Sequence, residues 1–222
     1  MADQDETADV ARRRMVEQQL RARDIVDSRV LAAMGRVPRH LFIEPGLERY
    51  AYDDRPLSIG SGQTISQPYI VALMTQLLQI QPAHRLLEVG TGSGYQAAVL
   101  AELAAEVYTV EIIPSLAEEA RARLEALGYR NVHVRQGDGY EGWREFAPFD
   151  GIIVTAGAPQ IPPPLVEQLR EGGRIAIPVG IAGGTQDLIL GEKHDGRLHT
   201  RSIAPVLFVP LTGKGGRQNG GR

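Results

Sequence analysis

Apolar residues recur along this chain in two alternating rhythms. Short unbroken runs, among them Leu86-Leu87-Glu88-Val89, Val107-Tyr108-Thr109-Val110-Glu111-Ile112 and Ile152-Ile153-Val154-Thr155, have the length of buried strands. Stripes at helical spacing separate them, such as Leu116, Ala120, Leu124 and Leu127 between Pro114 and Gly128. Ahead of the first strand, Val10, Met15, Val16 and Leu20 share one side of a helix starting at Asp9, with Arg12, Arg13, Arg14 and Glu17 on the other. A second helix is predicted over Asp27 to Val37, capped by Asp27 or Ser28 and stopped by Pro38. Residues 44–63 are rich in Pro, Gly, Asp and Tyr, show no period, and predict a long loop of the kind that is functional or disordered. A helix from about Pro68 to Leu78 follows it, with Ser66 where an N-cap would stand.

Beyond Leu86 the alternation is regular. The pattern predicts a helix over 94–105, a strand Val107–Ile112, a helix from Pro114 and a strand Val132–Arg135. It continues with a strand Asp150–Thr155, a helix Pro164–Arg170 and a strand Arg174–Val179. Two last strands, near Asp187–Lys193 and Ser202–Leu211, are joined through Asp195-Gly196 with no helix between them, so that pair is antiparallel. The expected class is α/β: a doubly wound, mostly parallel, Rossmann-like sheet of about seven strands with an N-terminal helical addition. Residues 1–8 are polar and acidic and are expected to be disordered, and the glycine-rich stretch 213–222 to be flexible. Between them, 9–212 form a single domain, with 9–80 supplying the helices and long loop and 84–212 the core.

Composition narrows the function classes. The 222 residues have a formal net charge of −3, which counts against a binder held mainly by nucleic-acid phosphates. No apolar run reaches membrane-spanning length, and the start of the chain lacks the basic and apolar regions of a signal peptide, so a cytoplasmic protein is expected. With no cysteine there is no thiol chemistry, and the five scattered histidines form no metal-ligand spacing.

The stretch Glu88-Val-Gly90-Thr91-Gly92-Ser93-Gly94 is a strand, a glycine turn and a helix start, the opening of a nucleotide-binding unit. It lacks the Gly-Lys-Ser/Thr ending of a triphosphate loop. Tyr95 stands where the dinucleotide fingerprint has its third glycine, and the acid Glu88 would repel a pyrophosphate but suit a cationic ligand. Two further acids close the next strands. Glu111 stands where a carboxylate accepts ribose hydroxyls, and Asp138, followed by Gly139, is within reach of an adenine amino group. A ligand with a ribose, an amino-bearing base and a positive charge is S-adenosylmethionine.

This arrangement resembles the class I S-adenosylmethionine-dependent methyltransferases. Closer still, Met15–Leu20, Val37–Phe42, Gly62-Gln63-Thr64-Ile65-Ser66-Gln67-Pro68, Ala158–Pro162, Gly172-Gly173-Arg174 and Val209–Thr212 resemble the protein-L-isoaspartate O-methyltransferase family over about residues 12–212. The resemblance implies methyl transfer from S-adenosylmethionine to the α-carboxyl group of isoaspartyl residues in damaged proteins. A monomer is expected, with no nucleic-acid or membrane partner. It implies a catalytic role for Ser66 and cofactor contacts from Glu88, Gly90, Thr91, Gly92, Ser93, Gly94, Glu111, Asp138 and Gly139. It also implies that Gln63, Thr64, Ile65 and Thr212 line the cleft. The family commonly has alanine where Gly157 stands, and the chain beyond Thr212 departs from it. The rivals are a small-molecule or RNA methyltransferase of the same fold, a nicotinamide-dependent dehydrogenase and a non-catalytic cofactor-binding module.

Overall fold

The computed structural model describes residues 2–181 and 183–216. Helix α1 (Ala2–Met15) runs into a π-helical turn, Val16–Arg21, which seats Val16 and Leu20 in the core. Residues 2–8 thus extend a helix rather than lie disordered. Once Met15, Val16 and Leu20 are anchored, each residue added to an existing helix escapes the nucleation cost. Helix α2 (Ser28–Arg36) starts where Asp27 accepts the N–H groups of Arg29 and Val30 at 2.8 and 3.4 Å, so Asp27 and not Ser28 is the cap.

The stretch 44–63 carries more order than its composition suggested. A 3-10 turn over Glu48–Tyr50 leads to strand β1 (Leu57–Gly60), which pairs antiparallel with β2 (Gln63–Ile65). Ser61 and Gly62, at φ 52° and 69°, form the two-residue turn between them, the positive-φ pair that matches strand twist. Leu57, Ile59 and Ile65 point inward, so the hairpin is held by the same core as the helices.

Helix α3 (Pro68–Leu77), strand β3 (Arg85–Val89), helix α4 (Tyr95–Ala101), strand β4 (Glu106–Glu111), helix α5 (Pro114–Ala126) and strand β5 (Val132–Gln136) follow in order. Then come β6 (Phe149–Val154), α6 (Pro163–Gln168), β7 (Leu169–Gly180), β8 (Gln186–His194) and β9 (Arg197–Val206). The main sheet has seven strands in the order β5-β4-β3-β6-β7-β8-β9. Pairings from β5 through β7 are parallel, and β8 runs antiparallel to both β7 and β9. The expected α/β class with its antiparallel C-terminal strands is the one observed. The last strand is displaced, however: the tight Asp195-Gly196 turn pairs His194 with Arg197, so β9 begins five residues early and ends at Val206. The chain after it leaves the sheet, held to it by the Gln186 side chain, which accepts the Phe208 N–H at 2.8 Å, and by a bridge from Pro210 to Gly157 beyond β6.

Side chains alternate across β3. Leu86 faces the layer built from the N-terminal helices, α3 and α4, whereas Leu87 and Val89 face a second core with Leu165, Leu169 and Phe149. No helix among the described residues is long and apolar enough to cross a membrane.

Candidate active site

The strand order reverses between β3 and β6: successive strands move one way to β5, then the chain returns to the other side of β3. Such a switch point opens a crevice at the carboxyl ends of the strands. Here the crevice is a cavity of about 180 Å³ walled by Gly90 and Gly92 after β3, Glu111 at the end of β4, Gly139 after β5 and Thr155-Ala156 after β6. Gln63 and Thr64 of the hairpin and Val209–Thr212 of the departing chain close it.

The glycine turn is shaped by its neighbours. Gly90 has φ +95°, and a Cβ there would lie 2.5 Å from Thr155 Oγ1, whose hydroxyl donates to the Gly90 carbonyl at 2.6 Å. Opposite it, a Cβ on Gly139 would lie 2.4 Å from Val89 Cγ1, so only glycine leaves the cavity wall intact. Glu111 is buried and ties the turn to the next strand. One carboxylate oxygen accepts the Gly92 N–H at 2.8 Å and the other the Ile113 N–H at 3.0 Å. No lysine or arginine among the described residues lines this cavity. Its glycine walls, apolar side chains and single acid suit a ligand with hydroxyls and apolar surface.

Glu88 lies elsewhere. Its side chain shares the face of Leu86 and is completely buried, and neither carboxylate oxygen has a hydrogen-bond partner among the described residues. Burial pushes it up to about 8, opposed by the nearby Thr109 hydroxyl and reinforced by Glu111. Burial thus favours the uncharged carboxyl, which weakens the expectation that its charge repels a pyrophosphate. Glu88 borders a small inner cavity of about 40 Å³ together with Ile65, Ser66, Thr91 and Ser93. The Thr91 and Thr109 hydroxyls bond at 2.6 Å beside it.

A second, larger cleft of about 630 Å³ opens on the other side of Thr64. Its walls are Arg23, Ser66, Gln67, Tyr69 and the Ala204–Val209 run at the sheet edge. Ser66 does not cap α3: Gln67 is the N-cap, and the Tyr69 N–H goes to Asp54 Oδ1 at 3.0 Å. The Ser66 hydroxyl makes no hydrogen bond to protein among the described residues, which leaves it free to face a ligand.

Of the residues named from sequence, Gly90, Gly92, Glu111, Gly139, Gln63, Thr64 and Thr212 meet around the main cavity. Thr91, Ser93, Ile65, Ser66 and Glu88 surround the inner one. Gly94, at φ +91°, starts α4 behind the turn and lines neither. The Asp138 carboxylate is already engaged, accepting the N–H groups of Tyr140 and Lys214 at 3.0 and 2.9 Å. That second bond also orders Gly213–Gly216 as a 3-10 turn, in the stretch expected to be flexible; 217–222 lie outside the described residues. Thr155, which borders all three spaces, was missed. Its signal was its place at the end of a strand, which has meaning only once β6 is known to lie beside β3.

Comparison with known proteins bears on what this geometry serves. The sequence model of the family "Protein-L-isoaspartate(D-aspartate) O-methyltransferase (PCMT)" matches residues 11–216. The chain belongs to that family. It is 59% identical over 201 residues to the protein-L-isoaspartate O-methyltransferase of Opitutus terrae, covering 90% of this chain and 86% of that one. It is 62% identical over 190 residues to protein-L-isoaspartate O-methyltransferase 2 of a Polaromonas species, covering 85% and 90%. Among solved structures, a protein-L-isoaspartate O-methyltransferase superposes with a TM-score of 0.84 at 30% identity, covering 92% of this chain and 67% of that one. A putative family member from Plasmodium falciparum, in complex with S-adenosyl-L-homocysteine, gives 0.77 at 27% identity, covering 90% and 98%. With the family goes the function: S-adenosylmethionine-dependent methylation of isoaspartyl residues, a protein repair reaction. The 180 Å³ cavity, with an acid at the end of β4 and glycine walls, fits that cofactor.

Proposed function

We propose that the main cavity holds the cofactor and that the larger cleft receives the isoaspartyl segment, with methyl transfer where the two meet, at Thr64 and Thr155. The observation that carries this is their shared border. Both threonines wall both spaces, and Ser66 stands on the cleft side two residues from Thr64.

The cofactor, when bound, supplies an electrophilic methyl group to the substrate's α-carboxyl oxygen. A carboxylate with an ordinary pKa of about 4 is already ionised at neutral pH, so the chain has no proton to remove. What the residues supply is alignment and exclusion of water. Ser66, with its hydroxyl unspent, donates a hydrogen bond that orients the substrate carboxylate. Glu111 and the Gly92 backbone hold the ribose end of the cofactor, and Gly139 makes room for its base. Because one chain provides every wall of both spaces, we infer that a monomer is sufficient. We place the protein in the cytoplasm, a reading supported by a chain of 222 residues without cysteine.

Labelled cofactor incubated with an isoaspartyl peptide and with its normal aspartyl twin tests the substrate, and label is expected on the first alone. In the same assay Ser66→Ala is expected to lower kcat by about tenfold or more while leaving cofactor Kd nearly unchanged. Glu111→Ala is expected to weaken cofactor binding far more than peptide KM. An equal collapse of cofactor affinity in Ser66→Ala would remove the orienting role.

A further inference from the structure

Among the described residues Arg39 is the largest side chain with no exposure to solvent, and it is charged. A guanidinium in such a place is retained only where its hydrogen bonds do something that an apolar residue cannot. No carboxylate forms an ion pair with it among the described residues. Its Nε donates to the Ala51 carbonyl at 2.7 Å and one terminal nitrogen to the Ser66 carbonyl at 2.7 Å, while the other terminal nitrogen has no partner. Its Cζ lies over the Tyr95 ring, 4.8 Å from the centroid.

Those three contacts join three parts of the site. Ala51 belongs to the stretch carrying Asp54, whose carboxylate accepts the Tyr69 N–H in the first turn of α3 at the mouth of the larger cleft. Ser66 stands on the cleft wall. Tyr95 is the first residue of the helix that leaves the glycine turn, buried at the position where a dinucleotide-binding turn would have glycine. The planar, rigid fork of an arginine can satisfy two carbonyls and stack on a ring at once, which a lysine cannot do.

We propose that Arg39 is a positioning residue for the methyl transfer, setting the Ser66 main chain against the cofactor turn through the Ser66 carbonyl and the Tyr95 ring. This rests on the role of Ser66 proposed above. Arg39 lines none of the three spaces, so its effect on the reaction is carried by the placement of Ser66 relative to the Tyr95 ring.

The test is a double-mutant cycle in the full chain, measuring kcat, peptide KM, cofactor Kd and Tm for Arg39→Lys, Ser66→Ala and the pair. Arg39→Lys is expected to lower kcat by about tenfold to a hundredfold with cofactor Kd within about threefold. The double variant is expected to be no slower than Ser66→Ala alone. Additive losses, or a kcat loss matched by an equal loss of cofactor affinity, would overturn the proposal and leave Arg39 a purely structural residue. If Ser66→Ala is itself as fast as the native protein, the Ser66 reading fails first, and that result differs visibly from additivity. Should Arg39→Lys not fold, Tyr95→Leu takes its place: it keeps both carbonyl bonds and removes the ring. A kcat loss that disappears in the Ser66→Ala background is expected, and a loss that persists there, or no loss, refutes the coupling.

Discussion

Glu88 ends in a fully buried carboxyl group without a close hydrogen-bond partner among the described residues, the Thr109 hydroxyl being the nearest polar group to favour its charge. Its ordinary value is 4.5, and in the fold it rises to about 8 because burial penalises the charged form. The neutral form is the one the fold favours. The stability this contributes is complete below the unfolded value and is lost as pH rises through about 8, at about 1.4 kcal/mol per pH unit in between. Glu88→Gln, which keeps the neutral shape, is expected to match the native protein near pH 5 and to exceed its Tm increasingly towards pH 8. Thermal unfolding across that range checks it; a constant difference would mean that Glu88 is ionised and partnered. The chain alone could name Glu88 but not its charge state, because charge depends on which face of β3 is covered. Gly157 is similar: a Cβ there would lie 3.0 Å from the Gln186 side chain, so the alanine common in the family would require Gln186 to move.

At the scale of elements, Asp54 links the apparently unstructured stretch to the cleft. Its carboxylate accepts the Tyr69 N–H at the start of α3, the Gln67 side chain at 3.2 Å and Arg23 at 2.9 Å. Arg23 in turn lies over the Tyr69 ring at 3.3 Å, so one acid holds a helix start and two walls of the cleft. Asp54→Ala is expected to cost about 1 kcal/mol, the usual value of a lost cap, and to raise peptide KM. Asp54→Asn, which can still accept from Tyr69, is expected to recover most of the stability but not the pairing with Arg23. Calorimetry and peptide kinetics on the two variants separate these contributions. The helices and the parallel strands were readable because their patterns run for about two turns or more, or for five or more strand residues. The β1–β2 hairpin was not, since strands of four and three residues carry too little alternation to stand out.

Across the whole molecule, the site is assembled from segments far apart in sequence: the hairpin near 63, the turn at 90, strand ends at 111 and 155, and the chain at 209–212. The last of these is latched from beyond. Lys214 donates its backbone N–H to Asp138 at 2.9 Å and its ammonium to Glu141 at 2.7 Å, which draws Thr212 onto the cavity. Both bonds are exposed, so removing residues 213–222 is expected to change Tm little. The same truncation is expected to weaken cofactor binding by about fivefold, the worth of roughly one hydrogen bond. Isothermal titration on the shortened chain decides, and unchanged affinity would show that the latch does not shape the cavity.

Local periodicity and strand-end chemistry were properties of the chain itself. The α/β alternation, the glycine turn after β3, the acid at Glu111 and the Gln63–Ser66 element all follow from neighbours within a few residues, where backbone geometry and side-chain spacing decide. Which acids border the main cavity is decided only by packing. Glu88 turned inward because β3 alternates its faces, and Asp138 was engaged by a segment 76 residues further on. Arg39 and Thr155 gained their meaning in the same way. A buried guanidinium and a strand-end hydroxyl are recognised by what surrounds them, and those surroundings exist only when distant segments meet.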